Sequence, residues 1–171
     1  MPSVLFVCTG NIARSPLAEA MFCQRLKARG LDGDWVVESA GTWAYDGQSS
    51  PDSVQQVARE YGLDVSDHRA RRVSAALLAP FDLILTMQRD HKEGIQVEFP
   101  QAARRTFLLS EMVEQRYDVP DPRDTIDDVR QAARLIDALL TQGYDRIVAL
   151  AQAGSDDTPQ EQGDGRGDTC P

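Results

Sequence analysis

The chain has 171 residues, 42% of them hydrophobic, and a formal net charge of −9. That is enough for one globular domain with a sizeable core, and the composition excludes a fibrous or wholly disordered protein. An acidic surface repels nucleic acid and anionic membranes, no stretch approaches the roughly 20 apolar residues of a membrane span, and no basic leader precedes the first apolar run, so neither partner is expected and the location is expected to be cytoplasmic.

The first apolar run, Val4 to Val7, is short and β-branched, as a buried parallel strand requires. It delivers Cys8 into a Gly-containing turn that reaches Arg14 six positions later. Pro16 suits the first turn of a helix whose apolar positions are Leu17, Ala20, Met21, Cys23 and Leu26. A thiolate needs positive potential at neutral pH, and backbone N–H groups at a helix N-terminus together with a guanidinium supply it. The same groups bind the oxygens of a phosphate, so the spacing marks a thiolate-and-anion site.

Further along, Trp35 to Ser39, Phe81 to Met87 and Thr106 to Leu109 read as strands, and Pro51 to Tyr61 as a helix. The segment Val65 to Leu78 begins basic and polar and becomes a short apolar helix before Pro80. From Thr125 to about Leu140 apolar residues recur at helical spacing, with Asp124 or Thr125 as N-cap. Tyr144 to Ala151 fits a helical turn or a strand. The alternation predicts a single α/β domain over 1–152: a central four-stranded parallel sheet with helices on both faces, Rossmann-like, with ligands beyond the carboxyl ends of the strands. From Ala153 onward the chain holds five acidic residues, one arginine and almost nothing apolar, so 153–171 is expected to be a disordered acidic tail. Cys23 is expected in the core or on the helix surface and Cys170 as a tail thiol. The two histidines and three cysteines lack metal-ligand spacing, so no metal or other cofactor is expected.

Hydrolysis of a phosphate monoester calls for a nucleophile, neutralisation of oxygen charge and protonation of the leaving group. Cys8 offers the thiolate, and the Ser15 hydroxyl a hydrogen bond that lowers its pKa. Arg14 offers a bidentate fork, and the N–H groups of Thr9, Gly10, Asn11, Ile12, Ala13 and Arg14 a cradle. Asp121 offers the acid and base; Asp118, Asp124, Asp127 and Asp128 compete with it, and its pairing with Pro122 favours it. His91 reads as a surface residue.

CTGNIARSP resembles the CX5R(S/T) signature of the low-molecular-weight protein tyrosine phosphatases, bacterial type. ESAGT at Glu38 to Thr42, SDHRAR at Ser66 to Arg71, FDLILTM at Phe81 to Met87 and VPDP at Val119 to Pro122 extend the similarity over about residues 3 to 142. The resemblance implies a phosphotyrosine-protein phosphatase working through a cysteinyl-phosphate intermediate without a cofactor. Its implied partner is a phosphotyrosine-containing protein, a bacterial tyrosine kinase among the candidates, and the enzyme is expected to be a monomer. It implies that Asn11, in left-handed geometry, is held by Ser39 and His68, and that Ile12, Trp43 and Tyr45 wall the substrate cleft. Sequence alone does not orient Trp43 and Tyr45, which fit core or cleft.

Two positions depart from the family pattern. The loop's usual second cysteine is Ala13, so no protective disulfide forms within the loop. The aromatic that usually follows the Asp-Pro pair is Arg123, either a solvated arginine or a contact for acidic residues flanking a phosphotyrosine. Three alternatives stand beside the phosphotyrosine reading. A protein-arginine phosphatase is favoured by MQRDHK at Met87 to Lys92 and opposed by Ile12, where that branch carries threonine. A thiol-dependent arsenate reductase would need resolving cysteines that are missing between Cys23 and the tail. A non-catalytic phosphate-binding regulatory module is opposed by the presence of Cys8, Arg14, Ser15 and Asp121.

Overall fold

The structure is a computed structural model, and residues 1–123 and 125–157 are described. Four strands, β1 (Ser3–Cys8), β2 (Val36–Gly41), β3 (Leu83–Thr86) and β4 (Thr106–Leu108), form one parallel sheet in the order β2-β1-β3-β4. Period-2 alternation sends Val4, Phe6 and Cys8 of β1 to one face and Leu5 and Val7 to the other, so both faces of this central strand are buried. Helices α1 (Arg14–Lys27), α2 (Asp52–Glu60), α5 (Ile126–Gln142) and α6 (Tyr144–Asp157) cover the first face, with Phe22 edge-on to Phe6 and Trp35 at its centre. The second face is covered by α3 (Ala75–Leu78), α4 (Arg89–Glu98) and a 3₁₀ turn at Pro100–Arg105. The expected four-stranded parallel α/β architecture is therefore the observed one.

The chain moves from β1 outward to β2 and then crosses back to β3, which makes the carboxyl ends of β1 and β3 a topological switch point. Cys8 stands at that end of β1, and Gln88 follows Met87 just past β3. Thr125 caps α5 by accepting from the Asp128 N–H, as one of the two expected caps. Asp124, the other, lies outside the described residues.

Three details differ from expectation. Tyr144 onward takes the helical one of its two expected readings, and α6 runs past the expected boundary at Gln152, through Asp157. Its small residues explain this: Ala151 is buried, and Gly154 lies so close to Asp82 that a Cβ there would sit 3.0 Å from the Asp82 Cβ. The rest of the expected acidic tail, with Cys170, lies outside the described residues. Helix α4 has no counterpart among the expected elements, because only His91 and Ile95 are buried along it and Gly94 sits between the two. His91, expected at the surface, is 5% exposed.

Candidate active site

The loop from Cys8 to Arg14 joins the buried β1 to α1. Its carbonyls are tied away from its centre: that of Cys8 accepts from the Thr42 N–H, that of Thr9 from the Trp43 N–H, and that of Asn11 from His68 Nε2 at 2.6 Å. The peptide bonds among the described residues are trans, so each outward carbonyl turns the next N–H the opposite way. The N–H groups of Thr9, Gly10 and Ile12 thus face the concave side. Helix α1 begins there without a side-chain cap and without an acidic residue in its first turn, leaving its positive end available to an anion.

Asn11 holds the turn. Its φ of 54° is left-handed, and its buried side chain uses every hydrogen-bonding group it has. Nδ2 donates to Ser15 Oγ and Ser39 Oγ, both at 2.9 Å, and Oδ1 accepts from the Arg71 N–H at 2.9 Å. Ser15 Oγ in turn lies 3.0 Å from Cys8 Sγ. Ser39 Oγ also donates to Glu19 at 2.5 Å, so a continuous chain of hydrogen bonds runs from Glu19 to the thiol. Burial pushes the Glu19 carboxyl up to about 7, against the Ser39 hydrogen bond and the charge of Arg71. It lines a cavity of about 600 Å³ behind the loop, together with Ser39, His68 and Arg71. His68 is half-buried, and desolvation lowers its pKa. Arg71 donates to the Ser39 carbonyl and pairs with Glu38.

Arg14 is almost wholly buried and is gripped from three sides. Nη1 donates to Gln88 Oε1 and to the Val119 carbonyl, each at 2.8 Å; Nη2 donates to Thr9 Oγ1 at 3.2 Å and pairs with Asp121 Oδ1 at 2.9 Å. The Asp121 loop is fixed at its base, where the Val119 N–H donates to the Met87 carbonyl. Asp121 itself is 66% exposed, so an anchored segment presents a solvent-facing carboxylate over the guanidinium.

Cys8, Ser15, Arg14 and Asp121 thus converge, and Asn11, Ser39 and His68 surround the loop that carries them. Ile12 and Ala13 are half-buried on it. Trp43 and Tyr45, which fitted core or cleft, are 69% and 79% exposed. The Arg72 guanidinium lies 4.6 Å from the Trp43 ring centroid. Trp43, with Thr9, Gln88 and His91, borders a cavity of about 400 Å³ beside the loop. Arg123 is exposed at the end of the acid loop.

Three participants escaped the sequence. Gly41 brings β2 against the loop, since a Cβ there would lie 2.3 Å from the Thr9 carbonyl oxygen. Gln88 and His91 open α4: Gln88 donates its N–H to His91 Nδ1 at 3.2 Å, and His91 Nε2 lies 2.8 Å from Thr9 Oγ1. Their spacing of three at a helix start was the available signal.

Residues 3–152 match the family model of the low molecular weight phosphotyrosine protein phosphatases. A probable low molecular weight protein-tyrosine-phosphatase EpsP of Ralstonia nicotianae is 35% identical over 149 residues, covering 86% of this chain and 97% of that protein. The crystal structure of the low molecular weight protein tyrosine phosphatase from T. tengcongensis superposes with a TM-score of 0.80 at 35% identity, covering 85% of this chain and 99% of that one. A YwlE arginine phosphatase, a mutant with a phosphorylated active-site serine, gives a TM-score of 0.77 at 30% identity over 91% and 97% of the two chains. A cysteine-to-arginine loop between a parallel strand and a helix, matched over nearly the whole length, places this chain in the low molecular weight phosphotyrosine protein phosphatase family.

Proposed function

We infer that this protein hydrolyses the phosphate monoester of phosphotyrosine in proteins through a cysteinyl-phosphate intermediate. The observation that carries the inference is the convergence of Cys8, 3.0 Å from Ser15 Oγ, with Arg14, itself 2.9 Å from Asp121, at the uncapped start of α1. In the first step Cys8 Sγ bonds to phosphorus as the bond to the tyrosine oxygen breaks, and the Asp121 carboxyl gives its proton to that oxygen. Arg14 and the loop N–H groups hold the equatorial oxygens. The phosphate competes with Asp121 for Nη2 of Arg14, which turns the carboxyl toward the leaving group. In the second step water bonds to phosphorus, its proton passes to Asp121, and the S–P bond breaks to release inorganic phosphate. Ser15, donating to Cys8 Sγ, stabilises the departing thiolate.

Ile12 and the exposed Trp43 suit an aryl ring. The substrate is a phosphotyrosine-bearing protein, a bacterial tyrosine kinase fitting that class, and the enzyme acts as a cytoplasmic monomer. No helix among the described residues is long and apolar enough to cross a membrane. The exposed Arg123 suits a contact with acidic residues flanking the phosphotyrosine. The likeness to the YwlE arginine phosphatase supports a second reading, hydrolysis of phosphoarginine. Hydrolysis of phosphotyrosine peptide, p-nitrophenyl phosphate and phosphoarginine decides between the two. Phosphotyrosine is expected to be preferred, Cys8→Ser to abolish turnover, and Asp121→Asn to slow it by roughly 10²- to 10⁴-fold. Preference for phosphoarginine would overturn the substrate, and activity surviving Cys8→Ser would overturn the mechanism.

A further inference from the structure

His91 lies outside the loop and the acid segment, yet it is buried and its ring meets Thr9 of the loop. The Gln88 backbone N–H is an obligatory donor, so the ring nitrogen it meets at 3.2 Å, Nδ1, is the unprotonated one. Nε2 therefore carries the proton of the neutral ring and donates it to Thr9 Oγ1 at 2.8 Å. Thr9 Oγ1 also accepts from Arg14 Nη2 at 3.2 Å. A hydroxyl has two lone pairs, and both are now occupied, so the Thr9 proton is free only to be donated. Among the described residues it has no protein acceptor, and it sits beside the guanidinium at the edge of the cradle.

We propose that His91 is a positioning residue for phosphoryl transfer: its Nε2–H fills the second lone pair of Thr9 Oγ1, so that the Thr9 hydroxyl anchors Arg14 and donates its own proton to the bound oxyanion. Gln88, from the same turn of α4, completes the grip by accepting from Arg14 Nη1 at 2.8 Å. Desolvation, with the Arg14 charge added and Asp118 opposing, pushes the His91 pKa down to about 4, which keeps the ring in the neutral form that this arrangement requires. A protonated ring would present a second donor to the Gln88 N–H and lose that contact. The role rests on the phosphatase function proposed above.

A double-mutant cycle on p-nitrophenyl phosphate tests it. His91→Ala and Thr9→Val are each expected to lower kcat/KM by about tenfold and to weaken inhibition by inorganic phosphate. Because both remove one linked arrangement, the double variant should lose no more than the worse single one. His91→Gln, which restores a donor, and Thr9→Ser, which restores the hydroxyl, should recover most of the activity. An additive loss of about a hundredfold in the double variant, or a Thr9→Val enzyme as active as wild type, would overturn the proposal. If His91→Ala does not fold, the comparison of Thr9→Val with Thr9→Ser decides, and equal activity of the two overturns it. Wild type inactive on every phosphate ester would instead sink the phosphatase reading itself, a distinct outcome.

Discussion

At Gly41 the absence of a side chain is the function. An added Cβ would meet the Thr9 carbonyl oxygen at 2.3 Å and the Asn11 nitrogen at 2.9 Å, both backbone atoms of the loop that carries Cys8. Backbone cannot rotate aside as a flexible side chain would, so Gly41→Ala must displace the loop and with it the inward N–H groups. We expect a loss of kcat of about 10²-fold, since misplacing a reacting group by about 1 Å costs that much, with the protein still folded by circular dichroism. Activity within twofold of wild type would show that β2 does not set the loop. Ala13 makes a second residue-scale prediction. The group beside Cys8 Sγ is a hydroxyl, Ser15 at 3.0 Å, and the loop from Thr9 through Ala13 to Arg14 holds no second thiol. Sulfenic acid formed on Cys8 therefore has no loop thiol to condense with before further oxidation. After a peroxide pulse, dithiothreitol should restore only a small part of the activity, and Ala13→Cys should raise the recovered fraction; full recovery of wild type would refute this.

Elements whose side chains bury by local pattern were legible in the sequence, and those placed by tertiary context were not. The β1 strand, the turn, Pro16 and the apolar face of α1 follow one another as unbroken local signals. Helix α5 has buried positions at 129, 132, 133, 136, 139 and 140, a helical period that needs no partner to be recognised. Helix α4 buries only His91 and Ile95, and His91 is polar: its burial is stabilised by Thr9 and by the Gln88 N–H, neither visible as periodicity. The end of α6 was hidden for a related reason. Gly, Ser and Asp past Ala151 look like tail composition, but the glycine is what lets the helix approach Asp82. Asp82 also accepts from the Ser3 N–H and hydroxyl, so this contact lies at the amino ends of β1 and β3, the opposite end of the sheet from Cys8. Gly154→Val should accordingly lower stability by about 1–3 kcal/mol in urea unfolding while leaving kcat on p-nitrophenyl phosphate unchanged. No change in the midpoint would mean that α6 does not pack there.

Across the whole molecule, two titratable groups packed next to the loop pull stability in opposite directions with pH. The Glu19 carboxyl, raised from 4.5 to about 7, binds its proton more tightly in the folded state. Its contribution is complete below pH 4.5 and is lost as pH rises through 7. His91, lowered from 6.5 to about 4, does the reverse: its contribution is complete above pH 6.5 and is lost as pH falls through 4. Between pH 4.5 and 6.5 the folded protein holds one proton more than the unfolded chain at Glu19 and one fewer at His91, so these two slopes nearly cancel. Glu19→Gln removes one arm of the balance and keeps an acceptor for the Ser39 hydroxyl. Relative to wild type, the variant should gain stability steadily from pH 4.5 to 7, by on the order of 3 kcal/mol over the window, and hold the gain above it. Groups unaffected by the substitution, His68 included, drop out of the difference. Chemical denaturation of both proteins at half-unit steps from about pH 4 to 8 measures it. A difference that stays flat would mean that Glu19 ionises as an ordinary surface carboxylate, and the hydrogen-bond chain from Glu19 through Ser39, Asn11 and Ser15 to Cys8 would then begin on a charge that is present at every working pH.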